Sequence, residues 1–243
     1  MKSYHQLLEG IYDPNIFKAI FLAGGPGSGK SFVVKRAIGG LGLKVINSDD
    51  PFERYMKVAG LDPAMPESEK EPRDVERARA KKVTGAKQGG AILGRLGLII
   101  DGTGKDYGKI QAKADTLRAL GYDCSMVFVN TSLETALKRN QMRARKVSPQ
   151  IAEKGWKAVQ SNLGKFQMFF GPDRFFIVDN NDHNEDLLEI SSKAIAKAIR
   201  KPVKNHIAKE WIAKEKERRS IASTSNLGRN VGKGGGGYVP KTT

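Results

Sequence analysis

Eight residues constrain this chain more than any others: Gly24-Gly25-Pro26-Gly27-Ser28-Gly29-Lys30-Ser31. Four glycines in eight positions let the backbone adopt conformations closed to residues with a Cβ. Successive N–H groups can then point at one centre and form a concavity suited to an anion. The spacing G-x-x-x-x-G-K-[ST] is the phosphate-loop pattern. Its flanks agree, since apolar Phe17–Leu22 reads as a strand running in and Phe32–Ile38 as a helix running out. A glycine-rich turn with no ligand is the plainer alternative.

The rest of the chain repeats that strand–loop–helix grammar. Ala19–Ala23, Leu43–Ile46, Leu98–Ile100, Met126–Val129 and Phe175–Val178 are short apolar runs bounded by Gly, Asp or Asn. Runs of this kind suit strands buried on both faces of a parallel sheet. Helical patterns lie between them at Phe32–Ile38, Val75–Leu93, Lys109–Leu120, Leu133–Lys146 and Ile151–Phe169, with Ser132 a candidate N-cap. Leu61–Pro72, with three prolines, reads as a loop or broken helix. The alternation predicts an α/β fold, an open five-stranded parallel sheet with helices on both faces.

Composition narrows the setting. The 243 residues include 42 Lys+Arg against 26 Asp+Glu, a formal net charge of +16. Such a chain is drawn to polyanions, although charge says nothing about fold. The single cysteine excludes an intrachain disulfide framework and a cysteine-based zinc site. No run approaches the roughly 20 apolar residues that span a bilayer, and Met1–Gly10 lacks the apolar centre of a signal peptide. No membrane partner and a reducing, cytoplasmic setting are therefore expected. From Lys201 onward ten Lys/Arg face three Glu. Val203–Arg219 reads as an exposed or weakly docked basic helix, and Ser220–Thr243 as disordered. The expected map is an extension at 1–15, one domain at 16–200 and a basic, partly disordered tail at 201–243 that can contact nucleic acid.

Within the loop, Gly25, Pro26, Gly27, Ser28 and Gly29 are expected to surround the phosphates of a bound ATP. Lys30 would reach the β- and γ-phosphates, and the Ser31 hydroxyl is the candidate Mg²⁺ ligand. Asn47-Ser48-Asp49-Asp50 ends the second strand, at the sheet edge that faces the ligand crevice in open α/β folds. Asp49 there can take the proton of an attacking hydroxyl. Asp50, before Pro51, alternatively caps the next helix. Asp101-Gly102-Thr103 ends the third strand, so Asp101 and Thr103 either hold substrate or the Mg²⁺ shell, or form a plain Asp-Gly turn. Arg139 and Arg143, four residues apart, share one helical face. They are either a clamp for charge on the transferred phosphoryl group or a solvated basic surface.

These residues resemble a known family. Ala19–Ser31, Ile46–Asp50, Ile99–Thr103 and Lys138–Arg143 are similar to the kinase domain of phage-type polynucleotide kinase and to the related zeta-toxin P-loop kinases. Val147–Phe170 is similar in pattern to the helix after the lid, and the likeness spans roughly Ile16 to Asn180. The resemblance implies a P-loop NTPase fold with the loop strand central and ATP-Mg²⁺ as phosphoryl donor. It implies Asp49 as general base, Arg143 as the lid arginine and Arg139 as its helper. It also puts Arg54 in the substrate-binding segment, although the spacing departs there by one or two residues.

The expected activity is an ATP-dependent kinase that phosphorylates a hydroxyl of a nucleic acid or nucleotide-type substrate. Arg77, Arg79, Lys81, Lys82, Lys87 and Arg95 would line the substrate side. The alternatives are a zeta-toxin-like kinase of a nucleotide sugar, modification of a base within DNA, and an ATP-binding module whose basic tail binds nucleic acid.

Overall fold

A computed structural model of the chain describes residues 11–142, 147–181 and 185–231. Its five strands are β1 (Lys18–Ala23), β2 (Lys44–Ile46), β3 (Leu98–Ile100), β4 (Asp123–Asn130) and β5 (Phe175–Asp179). They lie in the order β2-β3-β1-β4-β5, and every neighbouring pair is parallel. The glycine loop therefore leaves the central strand.

Alternation along the strands builds two cores. Ala19, Phe21 and Ala23 of β1 face one side with Cys124, Met126 and Phe128 of β4, while Ile20 and Leu22 face the other with Val127 and Val129. Successive side chains of a strand point to opposite faces, so both sets must be apolar when helices cover both sides. The second face is covered by α1 (Lys30–Val33, continued by a π-helical turn over Val34–Ile38) and, from the far end of the chain, by a helix over Glu185–Arg200. Among the described residues, six further helices lie between these two in sequence, and four of them reach the first core through Ala91, Ala114, Leu117, Val159, Phe166 and Phe170. The six are α2 (Asp49–Val58), α3 (Lys70–Leu93), α4 (Tyr107–Ala119), α5 (Leu133–Met142), α6 (Pro149–Gln160) and α7 (Leu163–Phe170). Of these, α2 reaches the sheet through α3, with Phe52, Met56 and Ala80 forming a small core of their own. The Glu185–Arg200 helix is α8, and α9 runs over His206–Val231.

Three differences from the sequence pattern have physical causes. The single helix expected over Ile151–Phe169 is two, α6 and α7, because Asn162 at the break turns inward and donates to the carbonyls of Gly104 and Lys105. Helix α3 begins at Lys70 rather than Val75, since Pro72 falls in its first turn, where a missing N–H costs nothing. Helix α8 was not expected. It docks through Leu188, Ile195 and Ile199, spaced by seven and four residues.

The chain beyond Arg200 continues onto the first core. Val203 and Ala208 are buried in it, and Trp211 and Ile212 pack against it. The Trp211 indole meets Phe17 edge-on at 5.5 Å. The helix also runs past Arg219, where irregular chain was expected. At this same end of the sheet, opposite the glycine loop, the buried Asp123 carboxylate accepts from Lys18 Nζ at 3.1 Å, Arg174 Nη2 at 3.1 Å and the Lys204 amide at 2.8 Å. Burial works to raise the Asp123 pKa, but these donors together hold it below its ordinary value. Burial likewise lowers Lys18, against the pull of Asp123.

Candidate active site

The loop is held from three sides. Gly24 N–H donates to the Thr103 carbonyl at 3.0 Å, tying the loop to the segment after β3. Gly27 (φ +78°) lies so close to the Ala136 carbonyl of α5 that no Cβ fits, and Gly29 (φ +81°) is equally tight against the Asn180 carboxamide after β5. On the third side, Trp156 of α6 lies against Gly25, and its indole N–H donates to the Thr131 carbonyl at 2.8 Å. Gly24, Gly25, Gly27 and Ser28 are buried, Pro26, Gly29 and Lys30 are half-buried, and Ser31 is exposed at the start of α1. Lys30 Nζ folds back to the Gly24 carbonyl at 2.7 Å, which sets its ammonium over the loop.

Carboxylates gather on the open side. Asp101, directly after β3, has a buried Oδ1 with no hydrogen-bond partner. Burial pushes its pKa up; Lys30 pulls it down, and Asp49 and Asp50 push it up again. These groups follow the C-terminal ends of three neighbouring parallel strands, near enough for their charges to act on Asp101. Asp49 and Asp50 are exposed in the first turn of α2, and the Asp49 N–H is held by Asn47 Oδ1 at 2.7 Å. Ser48, not Asp50, occupies the cap position of α2, so the capping role considered for Asp50 does not hold. Both aspartates instead sit where the helix dipole favours negative charge.

The other candidates fall as follows. Thr103 is exposed and contributes its carbonyl to Gly24. Arg54 is exposed on α2, one turn beyond Asp50. Arg139 donates from Nη1 to the Asn180 carbonyl at 2.6 Å and from Nη2 to the Asn181 carbonyl at 2.9 Å, beside Gly29. Ser132 Oγ accepts the Thr135 N–H at 3.1 Å and so opens α5 as expected. Arg143 lies outside the described residues. Among the basic residues assigned to the substrate side, Arg77 and Arg79 lie over the Phe52 and Tyr55 rings of α2. Arg95 does not belong there. Its guanidinium sits by Phe17 and Trp211, at the opposite end of the sheet.

Sequence reasoning missed Asn180, Trp156 and Asn162. The strand-end rule that picked out Asp49 and Asp101 applies equally to Asn180, directly after β5. Trp156 and Asn162 carried no local signal. Among the described residues no group of three His, Cys, Asp or Glu side chains could hold a metal ion, and no helix is long and apolar enough to cross a membrane.

Comparison with known proteins fixes the family. A family model described as AAA domain, AAA_33, matches residues 20–166, from β1 through α7. The chain belongs to the AAA_33 family. This is a P-loop kinase family, and the five-stranded parallel sheet with its surrounding helices is the P-loop fold. No match is found among curated protein sequences. Among solved structures, this AAA_33 chain is similar to a candidate kinase from Chloroflexus aurantiacus, with a TM-score of 0.53 and 14% identity, covering 75% of this chain and 98% of that one. It is similar to a protein of the PezAT toxin–antitoxin system of Streptococcus pneumoniae, with a TM-score of 0.51 and 15% identity, covering 74% and 87%. The AvrRxo1-ORF1:ORF2 complex with ATP contains a third similar chain, with a TM-score of 0.52 and 12% identity, covering 72% and 62%. At these identities the likeness speaks for the fold.

Proposed function

We propose that this chain is an ATP-dependent kinase that transfers the γ-phosphoryl group to a hydroxyl of a nucleic acid or nucleotide-type substrate. The observation that carries the reading is the placement of the glycine loop, Asp49 and Asp101 at the C-terminal ends of three neighbouring parallel strands, β1, β2 and β3, with Lys30 folded over the loop. A module that only bound ATP would have no use for an exposed carboxylate there.

In this reading the N–H groups of Gly27, Gly29, Lys30 and Ser31 hold the phosphate chain, and Lys30 leaves the Gly24 carbonyl to reach the β- and γ-phosphates. Asp49 accepts the proton as the substrate oxygen bonds to the γ-phosphorus and the bond to the β-phosphate oxygen breaks, releasing ADP. Arg139, beside Gly29, and Arg143 supply positive charge against the spreading charge of the transferred group. The orphaned Asp101 Oδ1 and the exposed Ser31 hydroxyl suit a Mg²⁺ ion, whose other ligands would be phosphate and water oxygens. When bound, the ion supplies charge neutralisation at the phosphates. Arg77 and Arg79, on the α3 face against α2, favour a substrate that is itself anionic.

The test is Asp49→Ala, followed with radiolabelled ATP and a panel of 5′-hydroxyl oligonucleotides, nucleosides, nucleotide sugars and hydroxymethylated DNA. Transfer is expected to vanish while ATP binding, measured by calorimetry, persists. Undiminished transfer by the variant would reject the mechanism.

A further inference from the structure

Asn180 is 1% exposed and is not explained by core packing, since it is a polar residue at the end of a strand. Its backbone N–H donates to the Asn130 carbonyl at 2.9 Å, extending the β4–β5 pairing by one step. Its carbonyl receives Arg139 Nη1. Its carboxamide Nδ2 donates to the Ser28 carbonyl at 2.7 Å, and Oδ1 is buried without a partner. The amide orientation is fixed by that one bond, because the reverse orientation would set Oδ1 against the Ser28 oxygen, acceptor against acceptor.

The bond has a directional consequence. In a planar trans amide the carbonyl and the following N–H point opposite ways. Holding the Ser28 carbonyl toward Asn180 therefore turns the Gly29 N–H away from β5. Gly29 must be glycine for the same reason, because the Asn180 carboxamide fills the place of its Cβ. We propose that Asn180 is a positioning residue for the phosphate loop: it sets the Ser28–Gly29 peptide so that the Gly29 amide faces the phosphates, and Arg139 in turn fixes the backbone of Asn180. This inference rests on the ATP-binding reading. It adds to that reading a residue that contacts neither the phosphates nor the acceptor.

Asn180→Asp and Asn180→Ser test it, with binding of ATP, inorganic tripolyphosphate and adenosine measured by calorimetry and folding checked by thermal denaturation. An unmet buried carbonyl and a released peptide predict a loss of about ten- to a hundredfold in ATP and tripolyphosphate affinity. Adenosine affinity should stay within about twofold, which a general structural defect would not allow. Gly29→Ala, which drives a methyl group into the Asn180 carboxamide, carries the same expectation should either variant fail to fold. The double variant with Asn180→Ser should then lose no more than the worse single one. Wild-type tripolyphosphate binding with unchanged affinity in the folded variants, or an equal loss for adenosine, would overturn the positioning role and leave the kinase reading standing. Wild-type protein that bound neither ATP nor tripolyphosphate would overturn both.

Discussion

Replacing Trp211 by alanine should measurably destabilise the domain without touching the loop, and the size of the effect follows from its surroundings. Full truncation of a buried Trp costs about 3–5 kcal/mol. Trp211 is only partly buried, so about half of that applies. Its edge-on contact with Phe17 adds about 0.5–1.5 kcal/mol. The total is about 2–4 kcal/mol. In a chain of this size each kcal/mol lowers the melting temperature by about 2–4 °C, so a fall of at least about 4 °C is expected. Urea denaturation followed by circular dichroism gives the free energy. Only two tryptophans are present, so Trp156→Phe isolates the Trp211 fluorescence as a local reporter. ATP affinity should be unchanged, because Phe17 precedes β1 and the loop follows it. A midpoint within error of wild type would refute the argument and detach α9 from the core.

Two further outcomes turn on pH. Asp101→Asn should raise stability at neutral pH by about 1–3 kcal/mol, since it removes a buried, unpartnered charged oxygen. Because burial raises the folded pKa above the ordinary 3.8, the penalty exists above that folded value and fades as pH falls toward 3.8. Melting curves of both proteins should converge there, and a gap that persisted in acid would refute it. Asp123→Ala should cost about 3–5 kcal/mol at neutral pH, since it strands Lys18 and Arg174. Here the folded pKa is depressed, so the wild-type advantage is complete above 3.8 and shrinks only as pH falls below it.

How much of this was legible in the sequence depends on how local each cause is. The loop, its strand and its helix were readable because glycine spacing and apolar runs act within a dozen residues. The central place of β1 came from the family resemblance, while the placing of Asp49 and Asp101 at one sheet edge followed from the rule that parallel strands present their C-terminal ends to one crevice. Arg95 was misplaced because nearness in sequence was taken for nearness in space. A helix of 24 residues such as α3 spans roughly 36 Å and carries its two ends to different faces. The break at Asn162 carried no local signal, and Asn180, within reach of the strand-end rule, was passed over for a related reason. Each answers a carbonyl 58 or 152 positions away, and an uncharged amide draws no notice in a strand-end motif.

The hydrogen bond from Asn180 to Ser28 joins the first strand–loop unit of the sheet to the last. The loop of the central strand is therefore fully held only when the last strand, at one edge of the sheet, is in place, and an N-terminal fragment ending before β5 lacks that bond. A bound nucleotide acts as a clasp across 152 positions of chain. Its free energy is shared by the whole sheet through mass action, so protease resistance at residues as distant as α1 and α8 should rise together with ligand concentration.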